Sequence, residues 1–99
     1  MKKVIKKDVV AQTAARVNEN ILLTGKVVDG VFGVLRDIMS NADPNVRIEI
    51  RNFGVFEVKK TKPKPKARNP KTNEIIYVPA RRKTHFKPGK LLKEALKKL

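Results

Sequence analysis

The segment between Val58 and Asn73 holds many cations and three prolines but no acidic residue. Ammonium and guanidinium groups can each neutralise a phosphate, and along a nucleic acid every neutralised phosphate releases condensed counterions. These residues therefore predict binding of a polyanion rather than catalysis. The seven cations of this basic segment are Lys59, Lys60, Lys62, Lys64, Lys66, Arg68 and Lys71.

Positive charge is concentrated in the second half of the chain. The 99 residues carry a formal net charge of +15 at pH 7. Residues 51–99 contain 16 of the 24 Lys and Arg residues against three acids, whereas residues 1–50 contain eight cations against six acids. This asymmetry predicts one strongly basic surface, for which nucleic acid is the partner that gains most from binding.

Residue types needed for catalysis or metal binding are scarce. His85 is the only histidine and there is no cysteine, so the sequence offers neither a nucleophile with its base nor a Cys-type zinc site. No apolar run approaches the roughly 20 residues that span a bilayer. We therefore predict no enzyme activity, no catalytic residue, no metal, no other cofactor, no small-molecule substrate and no membrane partner.

The length of the chain limits the core that it can form by itself. A single domain of this size buries only about 60 to 65% of the surface that its unfolded chain exposes. An arm that stands away from the body would leave still less for the core. We therefore predict an oligomer whose interface supplies the missing apolar burial.

Two helices are predicted in the N-terminal half. The second is predicted to begin with Thr24 as its cap and to run to about Asn41. The first is indicated by residues that recur at the spacing of one helix face, namely Ile5, Val9, Thr13 and Val17.

Strands and a third helix are predicted after a turn at 41–45. Residues 46–51 alternate strictly between apolar and charged, which indicates a half-buried strand. Residues 55–60 are predicted to form a second strand, with 75–78 as its return on the far side of the basic segment. The C-terminal helix is predicted to carry Pro88 in its first turn, where proline is tolerated.

The basic segment has two possible structures. A Lys/Pro run can be a solvated, disordered linker, but its place between two strands favours a β-ribbon. Pro63 and Pro65 lie two residues apart, so both could occupy ribbon positions whose N–H would point away from the partner strand. The same period predicts one row of cations on the opposite face: Lys60, Lys62, Lys64, Lys66 and Arg68.

Residues 69–73 have the composition of a turn at the tip of this ribbon. Asn73 can adopt a positive φ. Pro70 is compact, apolar and rigid among polar neighbours, and it is either an ordinary turn proline or a wedge that enters between base pairs and kinks DNA.

The sequence resembles the HU and integration host factor family of DNA-bending proteins along essentially its whole length. The resemblance rests on three blocks in order, at 53–58, 68–74 and 86–90. It implies an α+β fold: a helical base of two N-terminal helices plus a C-terminal helix, a short antiparallel sheet and a long β-ribbon arm, in an intertwined dimer.

The resemblance also implies a single domain over 1–99. Within it, 1–45 would be the helical dimerisation part, 46–86 the sheet and the arm, with the arm at about 59–78, and 87–99 the C-terminal helix.

Several residues match family positions that contact DNA. Pro70 resembles the intercalating proline, with Arg68 and Asn69 beside it in the minor groove, and Lys87 and Lys90 resemble body positions that clamp phosphates. The segments 48–51 and 85–90 look more like the beta subunit of integration host factor, which would make Arg51 a minor-groove contact instead of a simple strand-edge cation. The complete set of candidate DNA-binding residues is Lys3, Arg51, Lys59, Lys60, Lys62, Lys64, Lys66, Arg68, Asn69, Pro70, Lys71, Arg81, Arg82, Lys83, Lys87 and Lys90.

The arm departs from the family pattern by about one extra residue between Phe56 and Asn69. A one-residue insertion exchanges the two faces of a strand unless a bulge absorbs it. The sequence therefore leaves open which lysines share a face.

The predicted function is that of an architectural nucleoid-associated protein of the cytoplasm. It would bind double-stranded DNA in the minor groove through phosphates, bend or compact it with arm-tip prolines, and pair with itself or with a paralogous subunit. The alternative is a basic RNA-binding or ribosome-associated protein. RNA-binding sheets usually stack bases on aromatic side chains, and the arm has none before Tyr77.

Overall fold

A computed structural model describes residues 1–99 and confirms the predicted α+β class. The chain divides into two compact units, Met1–Ile38 and Met39–Leu99. No helix is both long and apolar enough to cross a membrane. The elements in chain order are α1 (Lys6–Val17), α2 (Ile21–Ser40), β1 (Val46–Ile50), β2 (Gly54–Lys60), β3 (Lys64–Arg68), β4 (Ile75–Val78), β5 (Arg82–Pro88) and α3 (Lys90–Leu96).

Helix α2 begins earlier than predicted, because Asn20 is its cap. The Oδ1 atom of Asn20 accepts hydrogen bonds from the backbone N–H groups of Leu22 and Leu23, at 2.7 and 3.2 Å. Thr24, the predicted cap, lies within the first turn and its Oγ1 donates to the carbonyl of Asn20 at 2.8 Å. The prediction of Thr24 was wrong because asparagine is at least as good a cap and stands first.

One face of α2 is left uncovered by the rest of the chain. Four apolar side chains at helical spacing, 41 to 58% exposed, form what we call the α2 stripe: Val27, Val31, Val34 and Ile38. No side chain in the chain is less than 2% exposed. Ala14, Ala42 and Val58 are the buried apolar residues, so a single copy encloses only a very small core.

The second unit contains a three-stranded antiparallel sheet in the order β1-β2-β5. Phe56 of β2 pairs with Phe86 of β5, and their ring centroids lie 4.9 Å apart. Phe53 joins the cluster at 5.2 Å from the ring of Phe86. At Gly54 a Cβ atom would lie 2.5 Å from the carbonyl oxygen of Lys87, so this close approach of β2 and β5 requires glycine.

Helix α3 starts after Pro88, which corrects the predicted placement of that residue. Pro88 ends β5 and pairs with Gly54. Gly89 is the N-cap of α3, and its N–H donates to the carbonyl of Phe53 at 2.8 Å. The turn at Phe53 therefore sets where the helix begins.

The predicted pairing of β2 with β4 was wrong. β2 pairs with β5, and β4 pairs with β3 in a separate two-stranded antiparallel sheet. The basic segment thus leaves the body between β2 and β5 and returns on itself through β3 and β4. A ribbon forms as predicted, but its two strands are β3 and β4 instead of β2 and β4.

Candidate nucleic-acid interface

The base of the ribbon places like charges opposite each other. In the β2–β5 ladder Lys59 pairs with Lys83 and Lys60 with Arg82. Directly opposed like charges destabilise an antiparallel pair. An anion bound along this edge would convert the repulsion into attraction, so the base of the arm favours a polyanion.

Two prolines interrupt the ladder beyond this base. Lys60 pairs with Arg82 and Lys64 with Val78, so three residues lie between the two pairs on each strand, and the register places Pro63 opposite Pro79. The N–H of Thr61 donates to the carbonyl of Arg81 at 2.7 Å. In a regular antiparallel ladder the next pair of backbone hydrogen bonds would form two residues further along, between Pro63 and Pro79. Neither proline has an N–H to donate.

This proline break corrects the prediction for Pro63. The register places Pro63 at a position whose N–H would point toward the partner strand. Because proline has no N–H, a hydrogen bond of the ladder is lost there. The two sheets of the second unit consequently end on either side of residues 61–63 and 79–81.

A bulge then changes the faces of β3. Ala67 pairs with Ile76, although Lys64 pairs with Val78, so Pro65 and Lys66 together stand opposite the single residue Tyr77.

The bulge divides the predicted row of lysines. Lys64 shares a face with Ala67, whereas Lys66 and Arg68 lie on the other face, which is also the face of Tyr77. The prediction of a single row failed because the extra residue is absorbed inside β3, after Lys64 and before Arg68.

The tip is an ordered turn, as predicted. Asn69 donates its N–H to the carbonyl of Glu74 and accepts, at its own carbonyl, the N–H of Asn73, both at 2.7 Å. The side chain of Asn69 also accepts the N–H of Lys71 at 2.9 Å. Asn73 has φ of 62°, the left-handed conformation that asparagine tolerates. Pro70 is exposed in this turn.

The face of the ribbon that carries Lys66 and Arg68 also carries exposed apolar groups. Ile75 and Tyr77 are 64 and 62% exposed. Sequence reasoning treated them as ordinary strand residues and missed them as surface groups. The signal was available, because a two-stranded ribbon has no second layer to cover its apolar side chains.

Among the body residues, Lys87 is held by a buried acid. Glu57 is only 7% exposed, and its Oε1 lies 2.7 Å from the Nζ of Lys87 while its Oε2 lies 3.5 Å from that of Lys59. The hydrogen bond from Lys87 is the main cause that lowers the pKa of Glu57; burial opposes it and the charge of Lys59 assists it.

Arg82 has a structural connection that the sequence did not suggest. Its Nη1 donates to the carbonyl of Ser40, the last residue of α2, at 2.7 Å and to that of Ala42 at 2.8 Å. A guanidinium group has five N–H donors, so the others remain for an anion.

The remaining candidates are distributed over both units. Arg51 lies in the turn after β1 and Lys90 is the first residue of α3, both exposed. Lys71 is exposed at the tip, and Lys3 is exposed before α1 in the first unit.

Comparison with known proteins identifies the family of this chain. Residues 4–97 match the family model described as bacterial DNA-binding protein. The chain belongs to this family. The resemblance to HU and integration host factor is thereby confirmed.

Individual relatives of this bacterial DNA-binding protein family agree. The chain is 44% identical over 71 residues to DNA-binding protein HU 1 of Bacillus subtilis, covering 72% of this chain and 73% of that protein. It is 43% identical over 90 residues to integration host factor subunit beta of Paraburkholderia phytofirmans, covering 90 and 80%. HU from an Anabaena HU–DNA cocrystal structure superposes with a TM-score of 0.81 at 27% identity, covering 97% of this chain and 100% of that one.

Proposed function

We propose that this chain is an architectural, nucleoid-associated protein of the cytoplasm that binds double-stranded DNA in the minor groove and bends or compacts it. The observation that carries the proposal is the basic ribbon, which ends in an ordered turn with Pro70 exposed. The similarity to HU 1 and to HU solved with DNA supports it.

Affinity would come mainly from phosphates. The exposed cations of the ribbon bind the sugar-phosphate strands, and Lys87, Lys90, Arg51 and Lys3 extend this contact over the body. Ile75 and Tyr77 lie on the same face as two of the ribbon cations, so they can pack on apolar deoxyribose edges beside the phosphates that the cations neutralise.

Bending would come from the tip. Pro70 is rigid, and the hydrogen bonds of Asn69 order the turn around it, so little conformational entropy is lost when it enters a base step. Unstacking one step costs a few kcal/mol, which the additional phosphate contacts of a bent duplex offset. Flexible steps would be preferred because they cost less to kink.

A second chain, identical or paralogous, would cover the α2 stripe. Apolar side chains at i, i+4, i+7 and i+11 are typical of a helix face packed against another surface. Within this proposal, residues 1–45 form the dimerisation part, 46–86 the sheet and the arm of about 59–78, and 87–99 the C-terminal helix region.

A salt titration of duplex binding tests the proposal. The logarithm of the binding constant should fall linearly with the logarithm of salt concentration, with a slope near −0.9 for each phosphate contacted. A salt-insensitive complex would exclude phosphate-dominated binding. Competition between pre-bent duplex DNA and structured RNA is the second arm, and preference for the RNA would replace this proposal with RNA binding.

A further inference from the structure

The segment that joins α2 to β1 is hydrogen-bonded to both strands at the root of the arm. We call residues 41–45 the strap. The side-chain Oδ1 of Asn45 accepts the backbone N–H of Lys60, the last residue of β2, at 3.0 Å. Arg82, the first residue of β5, donates its Nη1 to the carbonyls of Ser40 and Ala42 at 2.7 and 2.8 Å. Lys60 and Arg82 pair with each other, so the strap holds the last pair of the three-stranded sheet.

The side chain of Asn45 replaces a hydrogen-bond partner that the backbone of β1 does not provide. Val46 pairs with Val58, and the same register would place Pro44 opposite Lys60. Proline has no N–H, so a regular pair of ladder bonds cannot form there. The side-chain oxygen of Asn45 is the acceptor instead, which binds the end of β2 to the strap.

The guanidinium group of Arg82 connects the root of the arm to the end of α2. The last carbonyl groups of a helix have no partner within the helix, and a cation near them also interacts favourably with the negative end of the helix dipole. Ser40 is the last residue of α2, and Ala42 is only 8% exposed. One nitrogen of Arg82 therefore bridges the helix end and a buried residue of the strap.

The ribbon itself contributes little to the direction in which it leaves the body. Thr61 and Arg81 form the last hydrogen bonds before the proline break, and β3 and β4 form a separate sheet beyond it. A two-stranded ribbon also has no second layer that would stiffen it. The bonds of the strap are therefore the contacts that can fix the root.

We propose that Asn45 and Arg82 are positioning residues of the arm: through the strap they fix its root against the end of α2 and so set the direction in which the ribbon leaves the body. The consequence for DNA rests on the proposed function, because a root that cannot tilt would give the bound duplex a narrow range of bend angles. The positioning itself acts in the free protein and involves no contact between the strap and DNA.

The test compares a strap variant with a control that makes the same two replacements nearby. Asn45→Ala/Arg82→Met removes all three bonds. Asn41→Ala/Arg81→Met changes the same residue types at exposed positions whose side chains form no hydrogen bond or ion pair within the chain. Asn45→Asp is the conservative variant, because it keeps an oxygen acceptor for the N–H of Lys60. Circular dichroism melting identifies a temperature at which each variant is folded.

Two measurements are made on the protein without DNA. The amide of Lys60 should exchange its hydrogen roughly tenfold faster in the strap variant because its acceptor is lost, and Asn45→Asp should retain the protection. Double electron–electron resonance then reports the direction of the arm. Since the chain has no cysteine, Lys64→Cys at the start of β3 and Lys93→Cys in α3 carry the only two spin labels of a chain, and labelled chains are diluted with unlabelled ones. The distribution of distances between the labels should be wider in the strap variant and unchanged in the control.

Equal distance distributions in the strap variant and the control would overturn the positioning role, even with faster exchange at Lys60, because the bond would then be only local. If the strap variant does not fold, Asn45→Ala compared with Asn45→Asp decides by the same two measurements. A failure of the proposed function is a different result: the unaltered chain would not bend a duplex, whereas the distances in the free protein would still depend on the strap.

Discussion

The Nζ of Lys87 lies 2.7 Å from the Oε1 of Glu57, diagonally across the β2–β5 ladder. The Glu57 carboxylate is buried, whereas the side chain of Lys87 is about half exposed, so the acid fixes an ammonium group that solvent and ligands can still reach. Glu57 is thereby a positioning residue for one of the proposed phosphate contacts.

This pair predicts a pH dependence of stability. The folded-state pKa of Glu57 is lowered from 4.5, so its contribution is fully present above pH 4.5 and is lost as the pH falls through the lower folded value. Urea unfolding between pH 7 and pH 3 should show the decline in the unaltered chain and a shallower one in Glu57→Gln. Lys87→Gln should flatten the profile as well, since it removes the same pair. Profiles that all decline alike would contradict the assignment.

Gly54→Ala should destabilise the fold by about 1 to 3 kcal/mol. The new Cβ would lie 2.5 Å from the carbonyl oxygen of Lys87 and 2.7 Å from the ring of Phe86, so β2 and β5 would have to separate. Gly25→Ala in α2 is the matched control, because its Cβ would lie at an ordinary 3.6 Å from Val10 of α1, and the variant should gain up to about 1 kcal/mol of stability. Denaturant unfolding at one fixed protein concentration measures both, and an unchanged midpoint for Gly54→Ala would refute the packing argument.

Val31→Asp should disrupt association between chains. Val31 lies in the middle of the α2 stripe, and a carboxylate there would be buried without a partner in any interface that covers it. Light scattering after size exclusion should show a lower mass, or melting should become strongly concentration-dependent. Leu22→Asp places the same charge on the opposite side of α2 at an exposed apolar site and should retain the mass of the unaltered protein. Identical masses for the two variants would argue against the stripe as the interface.

Pro70→Ala should reduce the bend angle more than the affinity. The wedge is lost while the phosphate contacts remain, so energy transfer between dyes at the duplex ends should fall and binding to an already bent duplex should change little. Pro65→Ala serves as the control, since it alters an exposed arm proline within the bulge, away from the tip. Equal bending by both variants would leave Pro70 as an ordinary turn residue.

The elements that the sequence predicted well are those with a local cause. β1 alternates strictly because one face packs and the other is exposed, and the tip is ordered by hydrogen bonds within six residues of Asn69. The family blocks then predicted the class of the fold. In each case the information lies in neighbouring residues.

What the sequence did not predict depends on contacts distant along the chain. Phe86 is the one large apolar residue of β5, and this segment is a strand because it pairs with the edge of β2 along its whole length. The contacts of Arg82 with Ser40 and Ala42 span about 40 residues. The proline break emerges only when both strands and their register are known.

Because of the bulge in β3, the orientation of the arm's tip does not depend on the one additional residue in the arm. Pro65 and Lys66 absorb the additional residue, so Arg68 pairs with Ile75 in the same phase that a shorter, regular ribbon would give. One added residue at this position therefore leaves Arg68 and the tip on the faces that they would occupy without it. The geometry of the tip is in this way insulated from a change in the length of one strand of the arm.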